Sequence, residues 1–252
     1  MRCPVALSPA ADQGDGYRLS VGATHARLLI EDRAIHAAAT VIVVRNADRD
    51  PSVLVGQRAS GAAFMADKVV FPGGRIDHED SGDLLVVGLS QPCRERLNEA
   101  GSPTPERIAA AAIRELWEET GQILGQAACW PDPPPAWERF AARGYRPDAS
   151  GLRFVFRAIT PPKRPRRFDA RFFVVDAERL ATDPDDFSSA EDELRFLQWM
   201  PIAEARSFDL PFITQVALAE ISARLPDLSA PDRVPFFRND VADNHIIDLA
   251  ET

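Results

Sequence analysis

The chain has 252 residues, 45% apolar and 27% charged, a balance that suits a water-soluble globular protein able to bury a sizeable core. With 38 acidic against 29 basic residues its net charge is −9, which argues against a non-specific nucleic-acid coat, because such binding relies on Lys and Arg to neutralise phosphates. The longest nearly apolar run, Ala37 to Val44, falls far short of the roughly 20 residues of a membrane-spanning helix.

Prolines and aspartates interrupt residues 1–17 where a secretory signal would need a continuous apolar stretch. A cytoplasmic protein without membrane or nucleic-acid partners is therefore expected. Cys3, Cys93 and Cys129 are far apart and in no metal-ligand spacing, so they read as reduced thiols.

Residues 1–34 show little periodicity beyond Leu28 to Ile30 and read as an extension. "HAAATVIVVR" and "RDPSVLVGQR" are β-branched runs separated by an Asp/Pro turn, which predicts a hairpin. A third run, "KVVFPGGRID", is cut by Pro72, Gly73 and Gly74. The mixed stretch that follows suggests an inserted helix and loop. A firm helix then spans about 105–120, with Thr104 as N-cap, Pro105 in the first turn and Gly121 at its end. "PDPPPAW" reads as a linker loop. "LRFVFRAI", "ARFFVVDA" and "ELRFLQWMP" are strand candidates, and "PFITQVALAEISARL" is an apolar helix that stops before Pro226. From about 226 to 252 no periodicity is evident. Strands and helices mixed without a regular βαβα alternation predict an α+β or α/β sandwich, not a doubly wound parallel sheet.

The 105–120 helix is amphipathic. Ile113, Leu116, Trp117 and Thr120 share one side, and Arg114, Glu115, Glu118 and Glu119 the other. A solvated face with an Arg114–Glu118 pair is the plain interpretation. Yet three glutamates within a roughly 100° arc repel one another with a single arginine to relieve them, and a divalent cation that also meets substrate phosphates answers that charge economically.

These residues carry a family resemblance. "GGRIDHED" followed by "RELWEETGQI" resembles the Nudix box, G-x5-E-x7-R-E-U-x-E-E-x-G-U. The second half matches at Arg114, Glu115, Leu116, Glu118, Glu119 and Gly121, with Gln122 where the pattern has an aliphatic residue. In the first half Asp80 stands in place of Glu, and Arg114 lies 40 residues after Gly74 instead of 14, so 26 extra residues interrupt the box. A surface excursion at about 81–104 tolerates such an insertion.

The resemblance implies a Nudix fold, an α/β/α sandwich with a mixed sheet between helices, over about 35–225, and a hydrolase of nucleoside diphosphates linked to another moiety. It implies that Glu115 and Glu119 ligate Mg²⁺ or Mn²⁺, with Glu118 as a further ligand or the base and the Gly74 carbonyl completing the site. Arg114 would orient the glutamates through Asp80. Gly73 and Gly74 would form a tight loop that brings backbone close to the metal, and Glu193 stands where some members supply a loop glutamate. Upstream, "LVGQRASGAAFMADKVVFPGG" is similar to the pattern of the coenzyme A diphosphatase branch at Leu54, Arg58, Ala59 and "FPGG", with Gly56, Ala63 and Asp67 departing from it. The implied substrate is CoA or acyl-CoA, its phosphates met by Arg58, Arg166 and Arg167. Lys163 and Arg164 read as a solvated basic loop and Trp199 as core. ADP-ribose or a dinucleoside polyphosphate is the rival substrate, a ligand-sensing module without hydrolysis is the rival class, and a homodimer is compatible with the resemblance.

Overall fold

The computed structural model describes residues 34–61, 65–162 and 164–238, together with the backbone of 245–248. The predicted hairpin is formed by β1 (Ile35–Arg45) and β2 (Ser52–Arg58), paired antiparallel with Val44 opposite Val53. The "KVVFPGGRID" run becomes two very short strands, β3 (Val69–Val70) on β2 and β4 (Gly73–Arg75) on β1, split by the Phe71–Pro72 step. Next come helix α1 (Gln91–Leu97) and the long helix α2 (Pro105–Thr120). The middle of the chain supplies β5 (Gly125–Ala127), the short helix α3 (Glu138–Ala142), β6 (Tyr145–Pro147), β7 (Arg153–Ile159), β8 (Arg167–Asp176) and β9 (Leu194–Pro201). Helix α4 (Phe212–Ser222) and strands β10 (Pro235–Arg238) and β11 (His245–Asp248) complete it.

The main sheet runs β11-β10-β7-β8-β1-β2-β3, with β4 also on β1 and β9 also on β2. It is mixed: β1 lies parallel to β8 through ten residue pairs, from Ile35 opposite Arg167 to Val44 opposite Asp176, while β7 meets β8 antiparallel. Alternate residues of β1 serve two cores. Ala39, Val41 and Val43 face α2 with Phe173, Ile113 and Leu116, whereas Ile42 and Val44 face α4 with Phe172, Leu218 and Ile221. Burial on both faces explains why β1 reads as a continuous apolar run instead of an alternating one. The result is the expected three-layer α/β/α sandwich with a mixed sheet between helices.

Helix α2 begins and ends as its sequence predicts. Thr104 Oγ1 accepts from the Arg107 amide at 3.4 Å, and Gly121, at φ +72°, donates its amide to the Trp117 carbonyl at 2.8 Å. The stretch between Asp80 and Thr104 carries a helix, α1, whose Cys93 and Leu97 are buried against the α2-side core. Cys93 is a free thiol, its sulfur accepting from the Phe154 amide at 3.3 Å. Cys129 is disulfide-bonded, so the expectation of reduced thiols throughout does not hold.

The final stretch also departs from its sequence reading. Residues 226–252, which show no periodicity, contribute β10 and β11 to the main sheet, β10 running parallel to β7. Arg96 of α1 holds this segment by donating to the carbonyls of Pro231 at 2.5 Å and Asp232 at 2.7 Å.

Candidate active site

The site forms where β4 passes under α2. A Cβ on Gly74 would sit 2.5 Å from the Glu115 carboxyl group, and one on Gly73 would sit 2.5 Å from the Ala39 carbonyl oxygen. Only glycine lets the helix carboxylate rest against this strand. The Gly73 amide donates to Glu119 Oε2 at 2.7 Å, fixing the second carboxylate one helical turn further on.

Arg114 organises the other acids. Its Nε donates to Asp80 Oδ1 at 2.9 Å and its Nη2 to Asp80 Oδ2 at 3.0 Å, a bidentate pair. Nη1 reaches Glu115 Oε1 at 2.9 Å and Glu118 Oε2 at 2.8 Å, and Nη2 also meets the Arg75 carbonyl at 2.9 Å. Asp80, shorter than the glutamate of the family pattern, reaches the guanidinium because its loop is drawn inward. Arg107 of α2 donates to the carbonyls of Asp80 (2.8 Å) and Asp77 (2.9 Å), and Asp80 Oδ2 accepts from the Asp77 amide at 2.7 Å. Residues 81–104 separate Asp80 from α2 in sequence, yet Asp80 lies against Arg114.

The polar side of α2 is thus no solvated face: Arg114, Glu115 and Glu119 are buried, and Glu118 is partly so. Nor is the glutamates' repulsion left wholly to an ion, since Arg114 bridges two of them. An imbalance persists nonetheless. Burial, opposed by Arg114 and reinforced by Glu118, pushes the Glu115 carboxyl up to about 7. Burial, again against Arg114, raises Glu118. Glu119 rises well above the usual carboxylate range through burial and the neighbouring Glu115, despite Arg58 and the Gly73 amide. Burial works against the Arg114 cation, but Asp80, Glu115 and Glu118 outweigh it and hold the guanidinium above its ordinary value.

Glu119 Oε1 is buried without a hydrogen-bond partner, the closest cationic nitrogen being Arg58 Nη2 at 3.7 Å. An orphaned carboxylate oxygen in a cluster that favours protons is what a missing cation would satisfy. Among the described residues no three His, Cys, Asp or Glu side chains already converge as a cage. One oxygen each of Glu115 and Glu118 is held by Arg114, and a bound ion would draw on the remaining carboxylate capacity. The donor set, all oxygen with a backbone carbonyl at a glycine, fits a hard cation such as Mg²⁺ or Mn²⁺.

Arg58 lies at the edge of this cluster, donating to Glu193 Oε1 at 3.0 Å and to the Gly73 carbonyl at 3.3 Å. Arg58, Gly73, Gly74, Glu115 and Glu193 all line one cavity of 990 Å³. Arg166 lines it too, and so does Arg164, which the sequence placed in a solvated loop. Arg167 stands apart from that lining, with its Nε donated to the Thr160 carbonyl at 3.0 Å. Lys163 lies outside the described residues. Lys68, overlooked in the sequence, borders the cavity and pairs with Asp209. Its position after an apolar-run boundary gave no signal. Trp199 is half-buried against the α2-side core, with Arg45 stacked 4.4 Å from its ring centre.

Gln122, the departure at the end of the box, has a local reason. It is fully buried, donates to the carbonyls of Asp183 (3.2 Å) and Asp186 (3.0 Å), and accepts from Thr182 Oγ1 at 2.7 Å. The Glu191 amide meets the Glu118 carbonyl at 2.7 Å. The loop leading to Glu193 is therefore fastened to the end of α2.

The family model of the NUDIX domain matches residues 34–223. The chain belongs to that family. A NUDIX hydrolase from Alicyclobacillus acidocaldarius is 28% identical, with a TM-score of 0.58 over 75% of this chain and 92% of its own. The NUDIX domain of Shewanella oneidensis NrtR, complexed with ADP ribose, is 13% identical with a TM-score of 0.45, covering 76% of this chain and 89% of its own. A C. elegans Ap4A hydrolase is 14% identical with a TM-score of 0.43, covering 75% and 96%. No curated protein matches the sequence.

Proposed function

We propose that this Nudix-family enzyme cleaves the diphosphate of CoA or acyl-CoA, giving 3′,5′-ADP and the corresponding 4′-phosphopantetheine. The observation that supports this best is the continuity of the carboxylate cluster with a largely apolar cavity whose lining includes Arg58, Arg164 and Arg166. A diphosphate needs the first, and a long flexible arm needs the second.

Mg²⁺ or Mn²⁺, held by Glu115 and Glu119 with Glu118 and the Gly74 carbonyl, would neutralise phosphate charge and make a bound water more acidic. Arg114 keeps Glu115 and Glu118 in place and is itself fixed by Asp80. Arg58 and Arg166 offer guanidinium donors to substrate phosphates, and Arg167 stands behind Arg166 at the start of β8. Attack by water on one phosphorus breaks the bond to the bridging oxygen. The water's proton passes to Glu118 or Glu193, and the bridging oxygen leaves as a phosphate oxygen on the other product.

Product analysis by mass spectrometry tests the proposal. The protein and its Glu119→Gln variant are incubated with Mg²⁺ and a mixture of CoA, acetyl-CoA, ADP-ribose, NADH and diadenosine polyphosphates. Appearance of 3′,5′-ADP with 4′-phosphopantetheine, only with the unmutated protein, is the expected result. AMP with ribose 5-phosphate would move the enzyme to ADP-ribose, and no turnover would favour a ligand-sensing module.

A further inference from the structure

The far end of the cavity is built by a segment that the family match does not include. β10 lies at Pro235–Arg238, beyond residue 223, and its Phe237 lines the same cavity as Gly74 and Glu115. The sheet register connects the two ends. Arg75 of β4 sits opposite Ala38, Ala38 opposite Ala170, Ala170 opposite Ala158, and Ala158 opposite Phe237. Residues paired in this way stand side by side on one face, so three consecutive alanines give the cavity a shallow floor between the glycine loop and Phe237.

Strands lie about 4.8 Å apart, which makes that floor roughly 19 Å long. Phe168, Phe172 and Ile213 wall it, and Phe237 closes it against Phe212 of α4, their ring centres 5.9 Å apart at 60°. Phe212 keeps 66% of its surface exposed, an unusual position for a phenylalanine with no role at the rim. The carboxylates belong to the opposite face of the sheet, and the cavity meets them at Gly73 and Gly74, which present no side chain to block the way.

We propose that this trough holds the linear arm of the diphosphate substrate and that the Phe212–Phe237 pair sets the length of arm accepted. The inference rests on the pyrophosphatase reading and commits it to a substrate whose non-nucleotide half is a narrow chain. An extended pantetheine arm with its phosphate at the glycine loop spans such a trough and brings its thiol end to the phenylalanine pair. Free CoA and short acyl esters fit in front of the pair, whereas long acyl chains collide with it. A ribose or a second nucleoside has no part that would use the alanine floor.

The test measures kcat and KM of the full-length protein for CoA, acetyl-CoA, hexanoyl-CoA and lauroyl-CoA, alongside Phe237→Ala and Phe212→Ala. The expected result is that each variant lowers KM for lauroyl-CoA by about tenfold relative to acetyl-CoA, the scale on which an apolar pocket discriminates chain length. KM for CoA, whose arm ends at the pair, should change far less than KM for lauroyl-CoA. Phe212, exposed at the first turn of α4, can be removed with little risk to folding and serves if Phe237→Ala is unstable. Turnover with the same length profile in both variants, or a uniform KM shift across all lengths, would overturn the assignment of the pair alone. Absence of turnover for every CoA compound by the unmutated protein would overturn the substrate reading and this inference together.

Discussion

Two buried arginine clusters flank α2, and they are built to different rules. Around Arg157 and Arg171 stand two carboxylates, Asp169 and Glu99, with Arg157 paired to Asp169 at 2.8 Å and to Glu99 at 2.9 Å, and Arg171 to Asp169 at 3.0 Å. Ser102 and the Phe236 ring take up what remains of the two guanidinium groups. Charge balances there, and the cluster ties β7 and β8 to the stretch between α1 and α2. Around Arg114 and Arg58 stand five carboxylates, Asp80, Glu115, Glu118, Glu119 and Glu193, one of them with a buried oxygen unpaired. The first cluster balances its charge within the fold, while the second holds an excess of acid.

The sharpest way to break this contrast is to mutate one acid from each cluster. Glu119→Gln should lower kcat by about 10²-fold to 10⁴-fold while leaving the melting temperature equal or higher, because a buried carboxylate held above its usual pKa is replaced by a neutral amide. Full activity in that variant would end the metal-site assignment. Asp169→Ala should do the reverse. It leaves buried Arg171 without a carboxylate and Arg157 with Glu99 alone, and should cost about 3–5 kcal/mol in a denaturant titration, with kcat of the folded fraction unchanged.

A subtler test uses pH and metal together. Glu115 is pushed up to about 7 by burial, so the folded state holds its proton more tightly than the unfolded chain does. Its contribution to stability is present below the unfolded value of about 4.5 and is lost as pH rises through about 7. The metal-free protein should therefore lose stability between pH 5.5 and pH 8. Millimolar Mg²⁺ should raise the melting temperature more at pH 8 than at pH 5.5, and equal gains at both would contradict the assignment. Smallest of all, Gln122→Leu restores the aliphatic residue of the family pattern but abandons the carbonyls of Asp183 and Asp186. A loss of about 1–3 kcal/mol is expected, and a neutral result would show that the loop is held by other contacts.

Much of the frame was legible in the sequence because its long elements carry their own punctuation. Helix α2 announced itself by Thr104, Pro105 and Gly121, and β1, β7 and β8 by β-branched and aromatic runs. The fragments β5, β6 and α3, three to five residues each, are too short to express a period and exist through tertiary contacts. The same holds for β10, whose four residues follow a loop of Pro, Ser and Asp and become a strand only on the edge of β7. At the site, the box residues could be matched to the family pattern they resemble. The reach of Asp80 could not, since it depends on Arg107 turning the loop inward, and neither could the place of Arg164 beside the cavity or the reason for Gln122. Each of those depends on chain segments far apart in sequence.

The ten-pair parallel ladder between β1 and β8 sets the order in which this protein can assemble. The strands are separated by more than a hundred residues, so their pairing requires closure of a long loop and falls among the slow steps of folding. The glycine loop of β4, by contrast, docks on β1 from a short distance along the chain. On a ribosome, which extends the chain from its N-terminus, β1, β4 and α2 are made before β7 and β8, so the carboxylates can gather before the proposed trough has its floor. The carboxylates and the phenylalanine pair proposed to set the arm length are thus separated in time of synthesis as well as in space.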